Sequence, residues 1–162
     1  MGVRWQDREG VAVAVLAVAT LVIGRPWAFL PTRVFAQGDT AYTLANLLHA
    51  QDAVLQGIPW SQGPLAWPQP DGLAQTDWVG GLALLALPLR WAGIDPLVVH
   101  SVLVVLGLFL SAWAAHRVAR VLLGAGPHTW VAGVVGGLGP LQIGHAQHLN
   151  LVHHELPILA GL

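Results

Sequence analysis

PLVVHSVLVVLGLFLSAWAA, residues 96–115, contains no charged side chain. A helix of roughly 20 apolar residues crosses the ~30 Å hydrocarbon core of a bilayer, and this run has that length. The rest of the chain is built in the same way. Of its 162 residues 55% are hydrophobic and only 9% charged, with a mean hydropathy of +0.62. A soluble chain carries about 25% charged residues, so the composition excludes a water-facing globular domain. Seven arginines, no lysine and eight acidic residues leave a net charge of −1 and no basic run that could hold nucleic acid. With no cysteine, disulfides, thiolate metal sites and a cysteine nucleophile are excluded together. The expected fold class is an all-α, polytopic helical membrane protein.

Around 96–115, further apolar runs occupy 10–30, 78–94 and 130–144, and another starts at 156 and continues to 162. The first run is preceded by Arg4 and Arg8 and followed by Val34-Phe35-Ala36, as in a cleaved signal peptide. Arg25, Pro26, Pro31 and Arg33 separate the apolar stretch from that site, however, and cleavage normally follows closely. A retained span is expected. The run at 78–94 is short and holds Gly80, Gly81, Pro88 and Arg90. Lying in the interface, it places Arg4, Arg8, Arg117 and Arg120 on the cytoplasmic side and Arg25, Arg33 and Arg90 outside, the better fit to the positive-inside rule. All eight tryptophans fall near expected helix ends or in the long loop, as an interfacial belt requires. The map is then a cytoplasmic N-terminus in the cell (plasma) membrane, a span at 10–30, an outer loop at 31–95, spans at 96–115 and 130–144, and a cytoplasmic turn at 116–129. The run at 156–162 reads as the start of a further helix, so the chain is expected to be the N-terminal part of a longer protein.

The long outer loop opens Gln37-Gly38-Asp39-Thr40 and continues into 40–56, where Leu44, Leu47, Leu48, Val54 and Leu55 recur at helical spacing among Asn46, Gln51, Asp52 and Gln56. This predicts an amphipathic helix along the membrane surface, stopped by Gly57 and Pro59. Asp39 has two compatible readings: an N-cap for that helix, or a carboxylate held at the outer surface as a general base or cation ligand. Local sequence alone favours the cap. Asp52 reads as a solvated helix residue, Asp71 as a turn residue, and Asp77 as a cap for the 78–94 helix or a second acid at the same site. His145, His148, His153, His154 and Glu155 cluster within eleven residues. Their spacing lacks the four-apart histidine pair of common zinc sites, so a polar patch for phosphate or hydroxyl groups ranks above a metal or a bis-histidine haem shared with His100. His116 and His128 are assigned to the cytoplasmic turn, without a chemical role.

In layout the chain resembles the N-terminal region of the GT-C superfamily, the membrane-embedded glycosyltransferases that use polyprenyl-phosphate sugars, and most of all its uncharacterised bacterial multi-pass members. The resemblance is carried by Gly38-Asp39 after the first span, the interfacial helix, the Pro-rich stretch ending Thr76-Asp77, Leu87-Pro88-Leu89, the span ending Ala115-His116-Arg117, and Gly139-Pro140-Leu141-Gln142 running into His145, His148 and Asn150. It covers nearly the whole chain, through short motifs.

The resemblance implies transfer of a sugar from a polyprenyl-phosphate donor to an acceptor hydroxyl on the outer face, within the cell envelope, with Asp39 as the catalytic base. It also implies substrate contacts from Arg33, Asp77, His145, His148 and Asn150, and the lipid bilayer and the lipid-linked sugar as partners. No cofactor is expected, with a divalent cation as the lesser alternative: many relatives carry an acid in the second outer loop where this chain has His148-Leu149-Asn150, so either the metal-dependent variant is absent or the chemistry is lost or changed. The rival reading is a non-catalytic transporter or assembly subunit.

Overall fold

The computed structural model describes residues 8–24, 39–59, 79–145, 153 and 161. Every regular element among these is helical: α1 (Glu9–Gly24), α2 (Asp39–Gln56), α3 (Gly80–Trp91), α4 (Pro96–Leu123), α5 (Pro127–Gly137) and α6 (Pro140–Gly144). Among the described residues, α4 alone is both long and apolar enough to cross a membrane; α1 and α3 are apolar but shorter. At 1.5 Å per residue α4 reaches about 42 Å, α1 about 24 Å and α3 about 18 Å. The chain divides into two compact units, one of Met1–Ala28, Val104–Ala146 and Leu151–Leu162, the other of Phe29–Leu103 and Gln147–Asn150.

Local chemistry sets most helix ends. The Asp95 carboxylate accepts the Leu97 N–H at 2.8 Å, and Pro96, lacking an N–H, takes the first helical position. Gly57 and Gly93 adopt positive φ after α2 and α3. Beyond them the Ile58 and Ile94 amides bond back to the carbonyls of Ala53 and Leu89, which closes each helix in a Schellman motif.

Two expected boundaries are corrected. Nothing after Ala115 breaks a helix, so α4 continues to Leu123 and stops only at Gly124, whose φ is +79°. His116 is therefore a helical residue, 1% exposed, and not part of a turn. Trp113, expected at a helix end, lies ten residues before it. The run at 130–144 is two helices, because the Gly137-Leu138-Gly139 stretch interrupts the ladder and Pro140 cannot donate to it. Expected bounds of 40–56 and 78–94 compare with Asp39–Gln56 and Gly80–Trp91.

In the first unit α1 turns Ala12, Leu16 and Thr20 inward, at i, i+4 and i+8. Thr20 satisfies its hydroxyl by donating to the Leu16 carbonyl at 2.8 Å, so a polar side chain fits an apolar face. On α5, Gly133 and Gly137 face α4 so closely that a Cβ on Gly137 would stand 2.1 Å from the Ala112 Cα. Gln142 of α6 donates to the Ser111 hydroxyl at 2.8 Å.

The second unit pairs α2 with α3 through Leu47, Ala50 and Ala53 on one side and Leu82, Ala83, Ala86 and Leu87 on the other. The Gln51 amide donates to the Ala83 carbonyl at 3.3 Å. Arg90 fastens the far end: its guanidinium donates to the Leu48 carbonyl at 3.3 Å and pairs with Asp52 at 2.5 Å. An exposed ion pair alone adds ~0.2–1 kcal/mol, but this guanidinium also supplies a carbonyl. Arg90→Ala is expected to cost about 1–2 kcal/mol. Arg90→Lys should recover only part of that, since one ammonium cannot reproduce the planar fork. Melting temperatures followed by tryptophan fluorescence would check both.

Large apolar side chains are exposed around a core that is apolar but also holds many polar groups. Val18, Val22, Val131, Val135, Leu84, Leu85, Leu122 and Leu141 are all exposed, whereas Thr43, Asn46, Gln51, His100, Ser111, His116, Thr129 and Gln142 are buried. Amphipathic α2 buries both kinds of side chain, Leu47, Ala50 and Ala53 together with Asn46 and Gln51. The sequence expectation set its leucines and valines against the protein or membrane and its polar side chains in water. In the structure Asn46 and Gln51 point inward, while Val54 and Leu55 are exposed.

Candidate functional site

Thr40, Thr43, Asn46, His49 and Asp52 recur every three residues along α2. Side chains three apart on a helix are neighbours, so the five form one oblique polar row that starts a single residue after Asp39. Its first three members are buried: Thr40 is 3% exposed, Thr43 0% and Asn46 3%. The Thr43 hydroxyl donates to the Thr40 carbonyl at 3.1 Å and lies 3.4 Å from Nε2 of the buried His100, on the first turns of α4. Asp52 closes the row through its ion pair with Arg90.

The middle of the row is not satisfied by protein. Neither the Nδ2 nor the Oδ1 of Asn46 has a hydrogen-bond partner, and the same holds for the Thr40 hydroxyl and Nε2 of His49. Buried polar atoms are nearly always paired, and each unpaired one costs ~1–3 kcal/mol. Four such atoms along this oblique row, two of them on the single carboxamide of Asn46, mark a place prepared for something polar. The groups are neutral and offer both donors and acceptors. Such a set suits hydroxyls; a phosphate would call for arginine and a hard cation for carboxylates.

A second polar cluster lies within the first unit. Glu9, the first residue of α1, pairs with Arg120 and accepts the Trp113 indole N–H at 3.4 Å. Nε2 of the buried His116 stands 3.8 Å from the same carboxylate. Trp113 also stacks on Phe109, and the Arg117 guanidinium lies 6.0 Å from its ring centre. These contacts let α4 carry His116, Arg117 and Arg120 as helical residues. A small recess beside them is lined in part by Arg8, Glu9, His116, Arg120 and Thr129.

Of the residues singled out in the sequence, Asp39 is the first helical residue of α2, one place beyond the expected N-cap position. His145 belongs to the first unit and ends α6, with Nδ1 2.8 Å from the Leu141 carbonyl. Arg33, Asp77, His148 and Asn150 lie outside the described residues, as do His154 and Glu155. Among the described residues no three His, Cys, Asp or Glu side chains gather as a metal site. His100 is engaged with Thr43 of α2. Reading the sequence for catalytic carboxylates passed over Thr40, Thr43, Asn46, Glu9 and His116. The spacing of threonine, threonine, asparagine, histidine and aspartate at every third position from 40 to 52 was the available signal. Set against protein-family models, curated proteins and solved structures, the chain matches none.

Proposed function

We propose that the chain acts as a membrane-embedded glycosyltransferase, moving a sugar from a polyprenyl-phosphate donor to an acceptor hydroxyl at the outer face of the plasma membrane. The observation that carries this reading is α2: it begins at Asp39 and buries the Thr40 hydroxyl and the Asn46 carboxamide, uncharged groups that lack protein partners. Outward valines and leucines on α1, α4 and α5 support a hydrocarbon environment, and α4 has the length and apolarity of a span.

In the proposed reaction the Asp39 carboxylate takes the proton from the acceptor hydroxyl as that oxygen attacks the anomeric carbon. The bond from that carbon to the phosphate oxygen breaks, its electron pair leaves with the lipid phosphate, and configuration inverts. The phosphate needs charge stabilisation more than protonation, a task assigned to Arg33 and His148. The rival non-catalytic reading is favoured by one fact: a carboxylate at the first position of a helix interacts favourably with the helix dipole whatever else it does.

The test is transfer itself. Proteoliposomes carrying the chain, given a polyprenyl-phosphate hexose tritiated in the sugar, should lose label to a hydroxyl acceptor faster than protein-free vesicles. A rate no higher than that of protein-free vesicles, with hexose and pentose donors alike, would end the enzymatic reading. Sidedness is checked separately, because the chain has no native cysteine. A Gln37→Cys variant should react with a membrane-impermeant maleimide on intact cells, and Ala125→Cys only after permeabilisation. The opposite pattern would place Asp39 on the cytoplasmic side.

A further inference from the structure

We infer that Thr40, Thr43 and Asn46 form a subsite that binds the hydroxyl groups of a monosaccharide ring. The inference rests on the transferase reading only for the choice of sugars among polyhydroxylated ligands. Asn46 is the main argument: its carboxamide is 3% exposed and both polar atoms lack partners. A carboxamide presents a donor and an acceptor about 2.3 Å apart, which matches two adjacent ring hydroxyls, one accepting and one donating. Thr40, six residues N-terminal along the oblique row, offers an unpaired hydroxyl. The Thr43 hydroxyl and His100 stand beside them, 3.4 Å apart.

Charge decides the ligand class. No arginine or lysine lies in α2, and among the described residues the guanidinium bonded to this helix, Arg90, is committed to Asp52, six residues beyond Asn46. The subsite would therefore hold the uncharged ring and leave the phosphate to other residues. Asp39, three residues before the already helical Tyr42 and seven before Asn46, stands at the i, i+4, i+7 register with Thr43 and Asn46. A ring held at Asn46 thus lies along the same helix as the proposed base. A purely structural asparagine gives no reason for both amide atoms to be buried and unpaired.

The chain, purified in a detergent without a sugar headgroup, would be mixed with the methyl glycosides of glucose, galactose, mannose and arabinose. Saturation transfer from protein to ring protons is the readout. At least one glycoside should respond, Asn46→Leu should weaken the response at least tenfold, and Gly144→Ala, with nothing within 4 Å of its added carbon, should leave it unchanged. Asn46→Leu should also melt no lower than the parent, since it removes an unpaired amide. If it fails to fold, Thr40→Val carries the same expectation. Silence from all four glycosides, or full binding by Asn46→Leu, overturns the subsite; a raised melting temperature without sugar binding would mean the amide only holds water. Binding through Asn46 without transfer from polyprenyl phosphate keeps the subsite and removes the transferase. Transfer with binding untouched by Asn46→Leu does the reverse.

Discussion

Gly137→Ala is expected to lower the stability of the first unit by about 3 kcal/mol or more, at the upper end of overpacking costs. The added methyl would stand 2.1 Å from the Ala112 Cα, 2.2 Å from the Ala112 nitrogen and 2.5 Å from the Ser111 carbonyl carbon. All three are backbone atoms of α4, so no rotamer change relieves the clash, and α5 must move as a body. Gly133, one turn earlier, meets the Ala112 carbonyl oxygen and Leu16 at 2.8 Å each. Small residues four apart let two helix backbones approach, the usual device for helix pairs in membranes. A shift of α5 also disturbs the Leu16 face of α1. Gly144→Ala is the control, because nothing lies within 4 Å of its added carbon. Alanine there should be neutral, or stabilising by a few tenths of a kcal/mol through its lower unfolded-state entropy. Melting followed by tryptophan fluorescence separates the two. A Gly137→Ala protein that melts with the parent would show that α5 does not sit at backbone contact with α4.

The end of α2 was legible because it is written in local chemistry: Gly57 terminates the helix by adopting a φ value other residues avoid, whereas the expected 78–94 ran past Gly93, which ends α3 in the same way. The start of α4 was equally legible, from Asp95 and Pro96. Its far end was not. His116, Arg117 and Arg120 look like the charged edge of a span, and only the contacts made by Glu9, more than a hundred residues earlier, show how the helix continues through them. The break between α5 and α6 escaped because 130–144 is apolar throughout, and apolarity measures affinity for a solvent, not helix continuity. The candidate site was hidden for a related reason. Period and polarity locate the two faces of a helix, but which face turns inward depends on the surroundings. Leu47 of α2 points in as its apolarity suggests, but so do Asn46 and Gln51, which polarity alone would leave outside. Asp39 was found from its neighbours in sequence, whereas the Asn46 row became a candidate only once its burial and missing partners were known.

Asp39→Asn is expected to reduce sugar transfer by roughly 10² to 10⁴-fold, the usual contribution of a positioned general base. Asparagine keeps the shape and the hydrogen-bonding oxygen but cannot accept the proton of the attacking hydroxyl at neutral pH. The structural cost is small. Asp39 is the first residue of α2, so the exchange forfeits one charge–dipole interaction of about 0.3–1 kcal/mol. It leaves the buried row from Thr40 to Asn46 in place. Abundance and melting temperature should therefore hardly change while transfer collapses, and that separation makes the experiment decisive. A helix-terminal aspartate without catalytic work predicts the opposite pairing, a slightly lower melting temperature with no selective loss of transfer. Glycoside binding supplies a third reading on the same variant. Asp39→Asn that binds sugar normally and transfers none assigns the proton to Asp39 and the ring to the rest of α2. If transfer persists at more than about a tenth of the parent rate, too little is lost for a general base, and the base must be sought elsewhere in the chain.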